Sequence, residues 1–108
     1  MDPIYDDVAT LLLQLELELR RLRLWEDEAP PAEALASTEP FCVDTLSLPQ
    51  WLQFVFLPRM AELVEGSRPL PDKCGIAPIA EEYFRGGDYT AGALIHLLAA
   101  IDERLQRG

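Results

Sequence analysis

A single histidine, two cysteines, six glycines and nine basic residues among 108 leave little material for most kinds of site chemistry. One histidine cannot build a His-rich metal centre. Neither Cys42 nor Cys74 has another Cys or His at a zinc-type spacing, so no metal and no cofactor is expected. The glycines form no phosphate-cradling loop, and no GxSxG elbow or HExxH helix is present. The nine bases face nineteen acids, a net charge of −10. A field of that sign repels phosphate backbones and anionic lipid, which argues against nucleic acid and membrane surfaces as partners. The longest apolar run, Ala91 to Ile101, falls well short of the roughly 20 residues that span a bilayer. Residue 2 is an acid, and the first base, Arg20, follows the apolar run that a leader would need it to precede, so a cytoplasmic location is expected. In that compartment Cys42 and Cys74, both placed in connections, are expected as thiols rather than as a disulfide.

What is present reads as one all-α domain over residues 1–108, a compact four-helix bundle with long proline-rich connections. Hydrophobic residues make up 49% and charged residues 26%, the balance of a globular chain. A chain of this length can bury roughly two-thirds of its unfolded surface. The acids are spread along it, so their plainest role is solubility. Asp2-Pro3 opens the first helix with a capping acid and a proline at the first helical position. The seam Tyr5, Val8, Leu12, Leu15, Leu19, Leu22 advances in steps of three and four and predicts a helix to about Leu24. The stretch LQLELEL alternates as a strand would, but it holds no β-branched residue and Glu16 stands four residues before Arg20, which decides for helix.

Residues 26–40, with three prolines, five acids and no base, predict a long connection with a helical turn at Ala32 to Leu35. Ser47 and Gln50 have the spacing of a capping box, with Leu46 and Trp51 placed as a hydrophobic staple. The helix they start runs to a left-handed cap at Gly66, is apolar around most of its circumference, and is expected to be central, with Trp51 in the core. Pro58 removes a backbone hydrogen bond from its interior and should kink or split it near Phe54. A proline-rich crossing follows. A short third helix is predicted from Pro78, closed by Gly86-Gly87, and a fourth capped by Asp88 or Thr90, with the seam Ala91, Leu94, Leu98, Ile101, Leu105.

No catalytic residue is assigned. His96 lies opposite the seam of its helix and reads as solvated. Glu81 and Glu82 point about 100° apart on a helix, poor geometry for sharing a proton or metal. Arg20, Arg21 and Arg23 are flanked by five acids, which reads as an ion-paired helix face rather than an RNA-binding patch. The weak binding candidates are Asp44, Thr45 and Arg59. Asp44-Thr45 suits a local turn or cap, and Arg59 is either a surface residue or the partner of a buried Asp44 or Asp102. Leu13, Leu17 and Leu24 recur at four- and seven-residue spacing opposite the main seam. They are covered either by the 26–40 connection or by a protein partner or second copy of the chain docked on helix one.

In the blocks EPFCVDT, WLQFVFLPRM, PLP and IAPIAEEYF the sequence resembles the YqcC-like family of small bacterial proteins. The resemblance implies a helical bundle of cytoplasmic origin and carries no catalytic residue with it. By gene neighbourhood and sometimes by label, members are associated with a tRNA pseudouridine synthase. Such synthases resemble large mixed-sheet enzymes with a catalytic Asp, and this chain has neither that length nor those strands. The expectation is therefore a non-catalytic interaction or accessory protein linked to RNA modification. The alternative is a small-molecule binder or enzyme using the Asp44/Arg59 region, with FCVDT, Arg59 and PLP converging around Pro58.

Overall fold

A computed structural model describes residues 3–71, 74–85 and 91–107. Helix α1 spans Pro3–Arg21, a single helical turn α2 spans Ala32–Leu35, and a 3₁₀ turn covers Pro40–Cys42. The central rod consists of α3 (Leu48–Trp51), a π turn (Leu52–Phe56) and α4 (Leu57–Glu65), and α5 (Ile76–Phe84) and α6 (Gly92–Arg107) follow. The architecture is all-α, with no strand among the described residues, so LQLELEL is helical. Helix α1 packs against α6 and α4, and α5 packs against α6.

On α1, Val8, Leu12, Leu15 and Leu19 are buried as the seam predicts, with Ile4 in place of Tyr5. Tyr5 is half-buried, and its hydroxyl donates to the Arg68 carbonyl at 2.8 Å. Glu18 is also buried, tolerated because its carboxylate accepts from the Arg21 guanidinium, whose pKa it raises by that hydrogen bond and by charge. The helix ends at Arg21, earlier than the Leu24 expected. Leu24 N–H donates to Leu19 O at 2.9 Å and Arg23 N–H to Arg20 O at 3.0 Å, the paired bonds of a Schellman turn. Arg23 holds the left-handed position, φ 61°, and the turn brings Leu24 back against the core. A second such turn closes α4. There Ser67 is left-handed at φ 50°, while Gly66, expected in that role, has φ −87°. The turn is displaced one residue because Arg68 N–H reaches Leu63 O at 2.9 Å.

The Ser47/Gln50 capping box forms in both directions, at 2.9 and 3.2 Å. Pro58 leaves a continuous helix whose preceding turn is widened. Leu57 N–H donates to Leu52 O, five residues back, so the missing proline N–H is absorbed by a π turn instead of a break. Ala91, immediately before α6, and the α6 seam residues Leu94, Leu98, Ile101 and Leu105 are all buried. Helix α5 begins at Ile76, two residues before the expected Pro78, because Asp102 caps it from α6. Its carboxylate accepts from Ile76 N–H at 3.0 Å and Ala77 N–H at 2.8 Å. The Gly86-Gly87 stop and the Asp88 or Thr90 cap lie outside the described residues.

Candidate functional site

The 26–47 connection is tied to the bundle at several points. Gln53, buried in the π turn, donates from Nε2 to Glu26 O at 2.7 Å and accepts Glu26 N–H at 2.8 Å, so one side chain satisfies both backbone groups of the residue that starts the connection. Thr45 Oγ1 donates to Ala34 O at 2.7 Å, and Ser37 Oγ donates to the Asp44 carboxylate. Asp44 and Thr45 thus hold the α2 turn to the segment after it. Both are exposed, and neither pairs with Arg59. Asp102 is committed to the α5 backbone, so of the two alternatives for Arg59 the surface residue holds and the pairing with Asp44 or Asp102 does not form. Arg59 is exposed, and no ion pair involves it among the described residues.

Within this braced segment Phe41 (φ 58°) and Cys42 (φ 51°) are consecutive non-glycine residues in the left-handed region. Each is held there against roughly 1 to 2 kcal/mol of steric cost. The conformation sets the Phe41 ring edge-on to Trp51 at 4.8 Å, and Trp51 stacks on Phe56 at 5.4 Å. These three rings form one wall of a cleft of about 490 Å³ whose lining also includes Leu35, Arg59, Met60, Pro71 and both cysteines. Of the segments expected to converge, FCVDT contributes Phe41 and Cys42, and Arg59 and the second proline of PLP also arrive; Asp44 and Thr45 do not. Cys42 and Cys74 are thiols, not a disulfide.

Trp51 is half-buried on this wall rather than sunk in the core. Its exchange for alanine is therefore expected to lower stability by about 2 kcal/mol, below the range for a fully buried ring. A denaturant midpoint reads this, and a loss twice as large would place the ring in the core after all. The cleft wall itself was not predicted. Its signal is a pair of strained backbone angles and a tertiary ring cluster, neither of which leaves a local spacing to read.

Elsewhere several surface charges are already paired. Arg20 pairs with Glu16 at 3.0 Å and lies over the Trp25 ring at 4.5 Å, and Arg21 pairs with Glu18, so two of the three arginines of the basic cluster form an ion-paired face. Glu82 pairs with Arg85 at 3.1 Å. His96 is exposed beside a larger, shallow trough of about 770 Å³ between α1 and α6, which Leu17 also lines. Leu13 and Leu17 are 60% and 57% exposed, so the connection does not cover them. Leu24 is no longer in their row, because the turn at Arg23 directs it inward. Among the described residues no three His, Cys, Asp or Glu side chains are grouped as metal ligands, and no helix is long and apolar enough to cross a membrane.

The profile of the DUF446 family, described as tRNA pseudouridine synthase C, matches residues 7–104. The chain belongs to this family. An uncharacterized protein from Haemophilus influenzae is 48% identical over 71 residues, 66% of this chain and 67% of its own. The Escherichia coli protein YqcC is 38% identical over 77 residues, 71% of each chain. The solution NMR structure of E. coli YqcC superposes with a TM-score of 0.82 at 32% identity, covering 97% of this chain and 90% of that one. These matches confirm the YqcC-like membership and the helical fold. A Pectobacterium carotovorum protein named tRNA pseudouridine synthase C is 37% identical over 81 residues, which are 75% of this chain but 22% of that one.

Proposed function

We propose that the chain is a non-catalytic accessory protein that binds an RNA-modifying enzyme, a tRNA pseudouridine synthase. The Pectobacterium relative carries this reading. A segment like this chain occupies only 22% of a protein that bears the synthase name, so most of that protein lies outside the match. Covalent joining holds two partners at an effective concentration near the millimolar range, an arrangement of use only when they work together. A chain similar to that segment then acts on such an enzyme through a surface of its own. A net charge of −10 suits it to the basic surface of an enzyme that grips RNA, and not to the RNA.

Mixing the chain with the full-length tRNA pseudouridine synthase of the same organism is expected to give one co-eluting complex in size-exclusion chromatography with light scattering. Pseudouridine formation on tRNA should change when the chain is added. Separate elution at tens of micromolar, with unaltered modification, would remove the reading.

The cleft supports a second reading, a small-molecule binder. Its volume of about 490 Å³ falls within the range of ligand pockets. Arg59 lines it, but Asp44 is turned to Ser37, so an enzyme built on the Asp44/Arg59 pair gains nothing from the geometry.

A further inference from the structure

We propose that the cleft walled by Phe41, Trp51 and Phe56 is a docking groove for a cationic segment of the partner protein, laying one large apolar side chain against the accessible edges of the Phe41 and Trp51 rings. This rests on the accessory role proposed above and names the surface and chemistry by which it is exercised. Three observations support it.

The first is strain. Phe41 and Cys42 keep left-handed backbones that nothing in their own side chains favours. Such residues persist only where surrounding structure over-determines them, and they gather at ligand clamps. Here the over-determination is visible in the bonds from Thr45 to Ala34 and from Ser37 to Asp44. They fix the segment carrying Phe41, so the groove is shaped before any partner arrives and little ordering remains to oppose binding.

The second is charge. From Leu24 to Pro58 the sequence has six acids, Glu26, Asp27, Glu28, Glu33, Glu39 and Asp44, and no base. All six are exposed, and Glu39 lines the cleft. Arg59 stands on the central rod, also lining it. Glu39 is the acid on the cleft's lining and Arg59 the base, with the other five acids along the same connection but outside the lining; this orients an incoming segment, Lys or Arg toward Glu39 and the connection, and an acid or backbone carbonyl toward Arg59. The chain's net charge of −10 disfavours nucleotides and other anionic metabolites. A protein that binds RNA necessarily displays Lys and Arg, the complement that Glu39 and the connection require.

The third is size. A volume of about 490 Å³ holds one or two large side chains and a stretch of backbone, the scale of a peptide anchor rather than of a domain face.

Isothermal titration of the whole chain with the full-length synthase, at low and at moderate salt, tests this. Phe41→Gly deletes a half-buried ring but relieves a left-handed backbone at φ 58°, so the two effects partly offset and the variant should stay folded with a melting temperature only a few degrees lower, while its affinity should drop roughly tenfold or more. Glu33→Gln/Glu39→Gln should weaken binding and flatten its salt dependence. Glu81→Gln/Glu82→Gln, the same charge change on α5, should leave binding nearly unaltered. In a Trp25→Phe background, the fluorescence of Trp51 should shift as the complex forms. If the wild type binds and Phe41→Gly binds as tightly, the groove is overturned while the accessory role stands. If the wild type does not bind, both fall together. Tighter binding after neutralising Glu33 and Glu39 would show an anionic partner, and a Trp51 response to an anionic metabolite but not to the synthase would show a small-molecule pocket; either result overturns the proposal.

Discussion

Replacing Asp102 with alanine is expected to lower the unfolding free energy by about 3 kcal/mol, a large fraction of what holds a domain of this size together. The carboxylate is buried and accepts two backbone hydrogen bonds, from Ile76 at 3.0 Å and Ala77 at 2.8 Å, at the start of a nine-residue helix. The capping position, Gly75, has no side chain to offer, so α6 supplies the cap for α5 across the bundle. Alanine strands two donors at the end of a helix that also loses a charge favourable to its dipole. Asparagine is the informative comparison. Its carbonyl can replace one acceptor, but its amide would face the second N–H donor to donor, so Asp102→Asn should fall between wild type and alanine. Chemical denaturation of the three proteins reads the series. An alanine variant that melts within a degree of wild type would show the α5 terminus to be satisfied by water.

That contact also marks the boundary of what the sequence makes legible. Local patterns survived: the α1 and α6 seams, the Ser47/Gln50 box, the helical turn at Ala32 to Leu35. Each rests on spacings of three or four residues, which the geometry of one helix is enough to interpret. Features set by distant partners did not survive. Helix α5 starts early because Asp102 reaches it from 25 and 26 residues away, and Gln53 grips Glu26 from 27 residues away. The two Schellman turns put Arg23 and Ser67 in a conformation associated with glycine, because the turn hydrogen bonds outweigh the steric preference of a single residue. The candidate site behaves in the same way. Arg59 and the FCVDT block were singled out and do meet at one cleft. Phe41 lies in that block, but nothing in its local spacing shows the strained backbone that builds the wall, while Asp44 of the same block serves the loop.

The sharpest contrast in the molecule lies within two residues of α1. Leu15 is fully buried against the bundle, and Leu17 is 57% exposed. Leu15→Ala is expected to cost about 3 to 5 kcal/mol, the lost transfer energy plus a cavity that rigid neighbours cannot close. Leu17→Ala should change monomer stability by no more than about 0.5 kcal/mol. The exposed leucine still has a proposed use, because Leu13 and Leu17 lie one turn apart and Leu13 borders an apolar trough lined by Leu57, Ala61 and Val64 of α4. A second copy of the chain docking symmetrically there would bury what remains exposed of four such leucines, a gain of about 3 to 7 kcal/mol. Association opposes this with a cost of roughly 4 to 15 kcal/mol, so the balance allows only a weak dimer that fills with concentration. Light scattering from dilute to millimolar protein should show the wild-type mass rising, while Leu13→Glu/Leu17→Glu stays monomeric with an unchanged circular dichroism spectrum. A wild type that is monomeric throughout would leave this facet without a role in self-association. A double variant that unfolds would contradict the exposure on which the argument rests, since two glutamates on a solvated helix face are good helix formers and disturb no core contact.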